Sequence, residues 1–181
     1  FDAIVNKRVI EIVYHPFGRD PRTITIHPYH LKQYNDRWFL IGKQTDYDKQ
    51  LANIAIDRIE GLKETSKSYE PLDDDFNFEE YFDDVVGVSV NDTPVENVVL
   101  YVNDSVIGYI ITKPLHESQC FMPNKMEDGR WKITLKVKDN YELKSLLRSF
   151  GEQIEVMSPA SLRQKMKEST DRMSKMYAED K

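Results

Sequence analysis

Residues 12–62 read IVYHPFGRDPRTITIHPYHLKQYNDRWFLIGKQTDYDKQLANIAIDRIEGL, and how this run divides decides the fold of the first half. The β-branched run Val9 to Tyr14 is a strand. His15 to Pro21, with two prolines and a glycine, is turn chemistry. Thr23-Ile24-Thr25-Ile26 alternates, Pro28 sits near its end where a strand tolerates it, and Tyr29 to Tyr34 continues extended. Asn35-Asp36 is a two-residue hairpin turn with Arg37 to Gly42 as the returning strand. A loop, Gln44 to Lys49, precedes a strand from Leu51 to Ile56, and Asp57 to Leu62 closes the run. Five short strands at close spacing predict a small β-barrel rather than an α/β sheet.

Outward from this run, Phe1 to Asn6 reads as the last turns of a helix, which suggests that more of the natural protein precedes it. Glu70-Pro71-Leu72-Asp73-Asp74-Asp75 is an acidic linker, and Phe76 to Val85 is a short amphipathic helix. The second half alternates. Val98–Val102 is a strand, Asp104-Ser105 offers an N-cap for a helix over Val106–Thr112, and Ser118 to Met126 is a strand. Asp128-Gly129 turns into the strand Trp131–Val137; Asn140 caps a helix from Tyr141 to Phe150, which Gly151 ends. Ile154–Met157 is the final strand, and Ser158-Pro159 opens a long helix with Leu162, Met166, Met173 and Met176 on one stripe. Strand–helix–strand–strand–helix–strand is the order of a ferredoxin-like domain. The expected class is α+β: a barrel over 1–70 that includes the end of a linker helix at 1–6, a linker and short helix over 71–94, and a ferredoxin-like domain with a C-terminal helix over 95–181.

The 181 residues are 40% apolar and carry a formal net charge of −6, so the whole chain is not a polycation for nucleic acid, although a local basic site remains open. The single cysteine, Cys120, cannot close an intramolecular disulfide, which suits a reducing cytoplasm, and within Cys120-Phe121-Met122 it reads as a small buried side chain. No stretch approaches the ~20 apolar residues of a membrane span.

Basic and aromatic residues gather in the first half. Arg19, Arg22, Lys32, Arg37, Lys43 and Arg58 lie there, with His15, His27 and His30 and the rings of Tyr14, Tyr29, Tyr34 and Trp38. A guanidinium fork grips phosphate in two places and also stacks on flat surfaces. The plain alternative is solvated surface arginines and packed aromatics. Arg58 stands between apolar Ile56 and Ile59, so it needs an acceptor: Asp57 or Glu60 in an internal pair, or an anionic ligand. His27 and His30, three apart on a strand, should point to opposite faces and so make a poor metal pair. No Gly-rich phosphate loop or Ser/His/Asp arrangement is present, so no enzyme chemistry and no cofactor is expected.

These residues resemble the WYL domain of bacterial transcriptional regulators. The naming triplet falls at Trp38-Phe39-Leu40, with Phe in place of Tyr. Tyr14, Arg22, Pro28-Tyr29-His30-Leu31 and Asp57-Arg58-Ile59 follow in the family's order. Pro114 to Gln119, Asp128-Gly129 and Ser149 to Pro159 resemble the C-terminal extension (WCX) that often follows it. The resemblance implies an Sm-like, SH3-type barrel that senses a negatively charged ligand, a nucleotide or single-stranded nucleic acid. It implies operator DNA as a partner through an N-terminal helix-turn-helix outside this chain, and dimerisation through the extension. Carried over, the ligand-binding residues are Tyr14, Arg22, His30, Arg37 and Arg58, with Trp38 and Leu40 holding the barrel together. The alternatives are a stand-alone module gripping single strands and, ranked last, a nucleotide-processing enzyme.

Overall fold

The structure, a computed structural model, describes residues 1–178, the side chains of 47–49 excepted. The chain forms two compact units, one over Phe1–Asn77 and one from Phe78 onward, each with its own antiparallel sheet.

A single helical turn, α1 (Asp2–Val5), opens the first unit. Five strands follow: β1 (Ile10–Tyr14), β2 (Arg22–Tyr34), β3 (Arg37–Gln44), β4 (Tyr47–Ala55) and β5 (Ile59–Glu64). Their order across the sheet is β4-β3-β2-β1-β5. The two edge strands, β4 and β5, are joined by only the three-residue 3-10 turn Ile56–Arg58. In a flat sheet those edges would lie about 19 Å apart, whereas such a turn spans about 6 Å. The sheet therefore curls, and its inner face buries Ile10, Ile12, Tyr14, Ile24, Ile26, Leu40 and Ile54.

Asn35 and Asp36 turn β2 into β3 with φ of 50° and 60°, the paired left-handed conformation of a tight hairpin. Three details differ from the sequence reading. The loop expected over Gln44–Lys49 is a tight turn, because Gln44 already pairs with Tyr47. Trp38 does not hold the core: it is 49% exposed at the start of β3, while Leu40 is buried. And β2 is one long strand with a bulge between Pro28 and His30. Strict alternation from Ile26 would send His30 inward, yet the core takes Leu31 instead. The extra residue shifts the parity, so His27 and His30 share the outer face rather than opposing each other. Even so, among the described residues no group of three or more His, Cys, Asp or Glu is placed to hold a metal.

After the short helix α2 (Phe78–Phe82), the second unit runs β6 (Val95–Val102), α3 (Asp104–Thr112), β7 (Cys120–Phe121), β8 (Trp131–Lys138), α4 (Tyr141–Ser149), β9 (Ile154–Ser158) and α5 (Ala160–Ala178). The sheet order is β7-β8-β6-β9. Alternate residues Val98, Leu100 and Val102 of β6 and Ile133, Leu135 and Val137 of β8 are buried, with Ile107 and Ile110 from α3 and Leu143 and Leu147 from α4. β7 is far shorter than the strand expected over Ser118–Met126, and Cys120 on it is exposed, not buried. The N-cap position of α3 is Asn103 rather than Asp104, and its side chain makes no capping hydrogen bond. On α5 only Leu162 is buried; Met173 and Met176 are exposed, so the expected stripe meets the rest of the unit only near its start. Among the described residues no helix is long and apolar enough to cross a membrane.

Asn140 does more than start α4. Its Oδ1 accepts from Leu143 N–H at 2.8 Å, and its Nδ2 donates to the carbonyls of Val86 (2.8 Å) and Ser89 (3.1 Å), tying the incoming chain to the helix. Asn140→Ala should lower the stability of the second unit by about 2 kcal/mol, the upper end for a cap. A denaturant midpoint within about 0.5 kcal/mol of the parent would show these bonds to be replaceable.

Candidate anion site

The site is built where β1 ends, β2 begins and the 3-10 turn joins β4 to β5. Tyr14 pairs with Arg22 on one side and Ile59 on the other. Directly paired residues share a face. Tyr14 and its neighbours thus place Arg22 on the inner face at the open end of the curled sheet, about 10 Å across two rungs from Ile59. The loop after β1 folds onto the turn: His15 N–H donates to the Arg58 carbonyl at 3.0 Å, and His15 Nδ1 meets Glu60 Oε1 at 2.7 Å. Gly18, at φ 66°, lets the loop reverse, and it leaves Phe17 74% exposed.

Arg58 lies on that ring, its guanidinium carbon 3.7 Å from the Phe17 centroid. Its Nε is buried with no hydrogen-bond partner. Both acids offered by the sequence as internal partners are engaged elsewhere: Asp57 with Arg37 at 3.2 Å, and Glu60 with His15. Of the five arginines in the first unit, Arg8 pairs with Glu64 and Arg37 with Asp57. Among the described residues, Arg19, Arg22 and Arg58 have no ion pair, and all three sit at this end. An unneutralised fork stacked on an aromatic face, at the end of the sheet where Arg19 and Arg22 also lie, is an arrangement that takes a phosphate and a flat ring together.

The five residues expected at the site separate. Tyr14 pairs with Arg22 and with Ile59, the residue after Arg58, and Arg37 reaches the same turn through Asp57. The Tyr14 ring itself is 8% exposed and belongs to the core. His30 stands apart on the outer face, and burial holds its pKa below the ordinary histidine range. Phe17 was legible only as part of a turn. The signal for it is a large aromatic beside a glycine in a proline-bounded loop, where no strand face is available to bury it.

The outer face near His27 is covered by the chain leaving β5. Glu70 N–H donates to His27 Nδ1 at 3.0 Å, Tyr69 Oη to the Pro28 carbonyl at 3.0 Å, and Tyr29 Oη to the Glu70 carbonyl at 2.8 Å. Burial, with Tyr69 beside it, pushes the Tyr29 phenol up to about 12. Burial lowers the pKa of His27, His30 and His116 below 6.5. The folded chain then binds fewer protons than the unfolded chain. Stability should be full above pH 6.5 and fall as pH drops below it, before the carboxylates titrate. Thermal melts between pH 7.5 and 5.5 read this directly, and a melting temperature that rises on acidification would contradict it.

A curled antiparallel sheet with unpaired arginines at one end, followed by a sheet-and-helix unit, is a two-part α+β architecture. The family models name the parts: residues 1–64 match the WYL domain and residues 94–174 the WCX domain. The chain belongs to the WYL-domain family, carrying the WYL domain and its WCX extension. Among solved structures, proteasome accessory factor B/C (PafBC) of Arthrobacter aurescens is 20% identical and aligns over 91% of this chain and 25% of its own, with a TM-score of 0.40. A CRISPR Cas-related protein is 13% identical and aligns over 97% of this chain and 49% of its own, with a TM-score of 0.50. The chain thus spans a quarter of the first and about half of the second. No curated protein matches it.

Proposed function

We propose that this chain is the ligand-sensing part of a bacterial, cytoplasmic transcriptional regulator. In this reading the first unit is an Sm-like, SH3-type barrel and the second a ferredoxin-like extension that supports a homodimer. A negatively charged ligand, a nucleotide or short single-stranded nucleic acid, binds at Arg58, Arg22 and Arg19 over Phe17. Its binding energy shifts the DNA affinity of a helix-turn-helix elsewhere in the whole protein. The chain binds and does not catalyse. The observation that carries the reading is Arg58: stacked on Phe17, with Nε unpartnered and both neighbouring acids engaged elsewhere, Asp57 by Arg37 and Glu60 by His15.

Fluorescence polarisation with a labelled hexanucleotide, competed by mononucleotides, tests it. Competition by mononucleotides at equal affinity makes the site a nucleotide sensor; a strong preference for the oligomer makes it a grip on single strands. Three arginines meeting phosphates predict a slope of log K on log salt of about −2. A salt-independent affinity, or no binding to either probe, would defeat the proposal.

A further inference from the structure

The second unit holds a concavity of about 830 Å³ between β9, α5 and the chain after α4, within the size range of sites for small organic ligands. The ring of Tyr101 on β6 lines it, with Met166 and Met173 about two turns apart on α5. Its basic residues fall into two groups. Arg130 lies over the Tyr101 ring at 4.9 Å and pairs with Asp128 and Glu155 at 2.7 and 2.6 Å. Arg163 takes the other Glu155 oxygen at 2.6 Å and also donates to the Val156 carbonyl. Those two guanidiniums are neutralised and fix the wall. Arg148, from the last turn of α4, and Lys167, on α5, line the same space, and neither side chain has an ion pair or hydrogen bond among the described residues.

The lining carboxylates do not account for these two cations. Glu155 is spanned by two arginines, whereas Glu152 has only the Gln153 Nε2 donor at 3.2 Å, an uncharged amide that neutralises nothing. Asp171 also lines the concavity, four residues after Lys167 and therefore on the same helix face. It offsets part of the positive charge, so a single negative charge is better tolerated there than two. Apolar walls, one aromatic ring and two unpaired cations, with the carboxylates of Glu152 and Asp171 leaving room for a single negative charge, fit an amphipathic acid.

We propose that this concavity is a second binding site, for a small monoanionic carboxylic acid with an apolar body. Arg148 and Lys167 hold the carboxylate, and Tyr101, Met166 and Met173 cover the body. The site is separate from the anion site, which lies wholly within the first unit.

The test is an amide chemical-shift titration of the whole chain with 4-phenylbutyrate and, in parallel, phenyl phosphate. Shifts should centre on Gly151, Ala160 and Lys167, and 4-phenylbutyrate should bind more tightly than the phosphate. Arg148→Glu and Lys167→Glu should each weaken 4-phenylbutyrate about tenfold, while Arg148→Lys retains most of the affinity and shows that the position tolerates change. Asp171→Asn should narrow the gap between the two probes. Phenyl phosphate also suits the anion site of the first unit, so its affinity for the second is read only from the shifts of Gly151, Ala160 and Lys167. 4-Phenylbutyrate shifts that centre elsewhere, unchanged affinity in both charge reversals, or preference for the phosphate at Gly151, Ala160 and Lys167 would overturn the proposal. So would a concentration-dependent mass in sedimentation that the charge reversals abolish, since a second copy would then be the occupant.

Discussion

Gly42→Ala should cost the first unit about 4 kcal/mol, a large effect for one methyl group. Gly42 is buried in the middle of β3, paired with Pro28 on β2 and Ala52 on β4. A Cβ there would fall on the His27 carbonyl oxygen and lie 2.8 Å from Ile26 Cγ1. The carbonyl is backbone and cannot rotate away. Ile26 is fully buried in the core cluster, so it has nowhere to retreat. Relief requires β2 and β3 to part beside the bulge that sets the outward face of His27 and His30, which breaks ladder hydrogen bonds and opens the core together. The control is Gly108→Ala on α3, where an added Cβ meets nothing within 4 Å. That change should stabilise by about 0.5–1 kcal/mol through helix propensity alone. Chemical denaturation of both variants reads the contrast, and effects of the same sign would show that the close approach at Gly42 is not what holds the strands.

What the sequence disclosed follows the range of the interactions involved. Asn35-Asp36 and Asn140 are local devices, a two-residue turn and a cap, and local chemistry suffices to place them. Leu40 and the inward isoleucines follow from alternation. Alternation fails where one residue is inserted: the bulge after Pro28 moves every later side chain of β2 to the other face, and its one local signal is Pro28 itself, which a central strand holds only at such a break. Cys120 was misplaced for a related reason. It belongs to a two-residue strand that pairs only with β8, and apolar neighbours in sequence did not become a core. On α5 the methionine stripe is real in spacing, but an amphipathic pattern states which face is apolar, not what covers it. The candidate site was legible as a composition, arginines among rings, and not as a geometry. Which arginines stay unpaired depends on acids brought in by the curl of the sheet, as Asp57 is to Arg37 and Glu60 to His15. Phe17, the surface on which Arg58 lies, is 41 positions away in the chain.

Arg58→Ala should weaken oligonucleotide binding about 100-fold while leaving the fold intact or slightly more stable. The two halves of this expectation come from the same atoms. A charge-assisted hydrogen bond from a fork to a phosphate contributes about 1.5–3 kcal/mol, and stacking adds to it, so loss of the whole side chain removes about 3 kcal/mol of binding. In the unliganded chain, however, the Arg58 Nε is buried with no acceptor, a standing cost that alanine removes. The contact with Phe17 offsets part of that cost, since an exposed cation–π pair contributes about 0.5–1 kcal/mol. A residue kept for structure would show the reverse pattern, with a fall in melting temperature and a secondary loss of binding. Arg58→Lys separates charge from shape: it keeps the cation and loses the planar fork, so it should recover only a minor part of the affinity. Phe17→Ala should cost about tenfold by removing the platform, and the double variant should lose less than the two single losses combined, because both act on one guanidinium. If Arg58→Ala binds as the parent does, Arg58 is not part of the site; if it unfolds the first unit, its guanidinium was serving the fold.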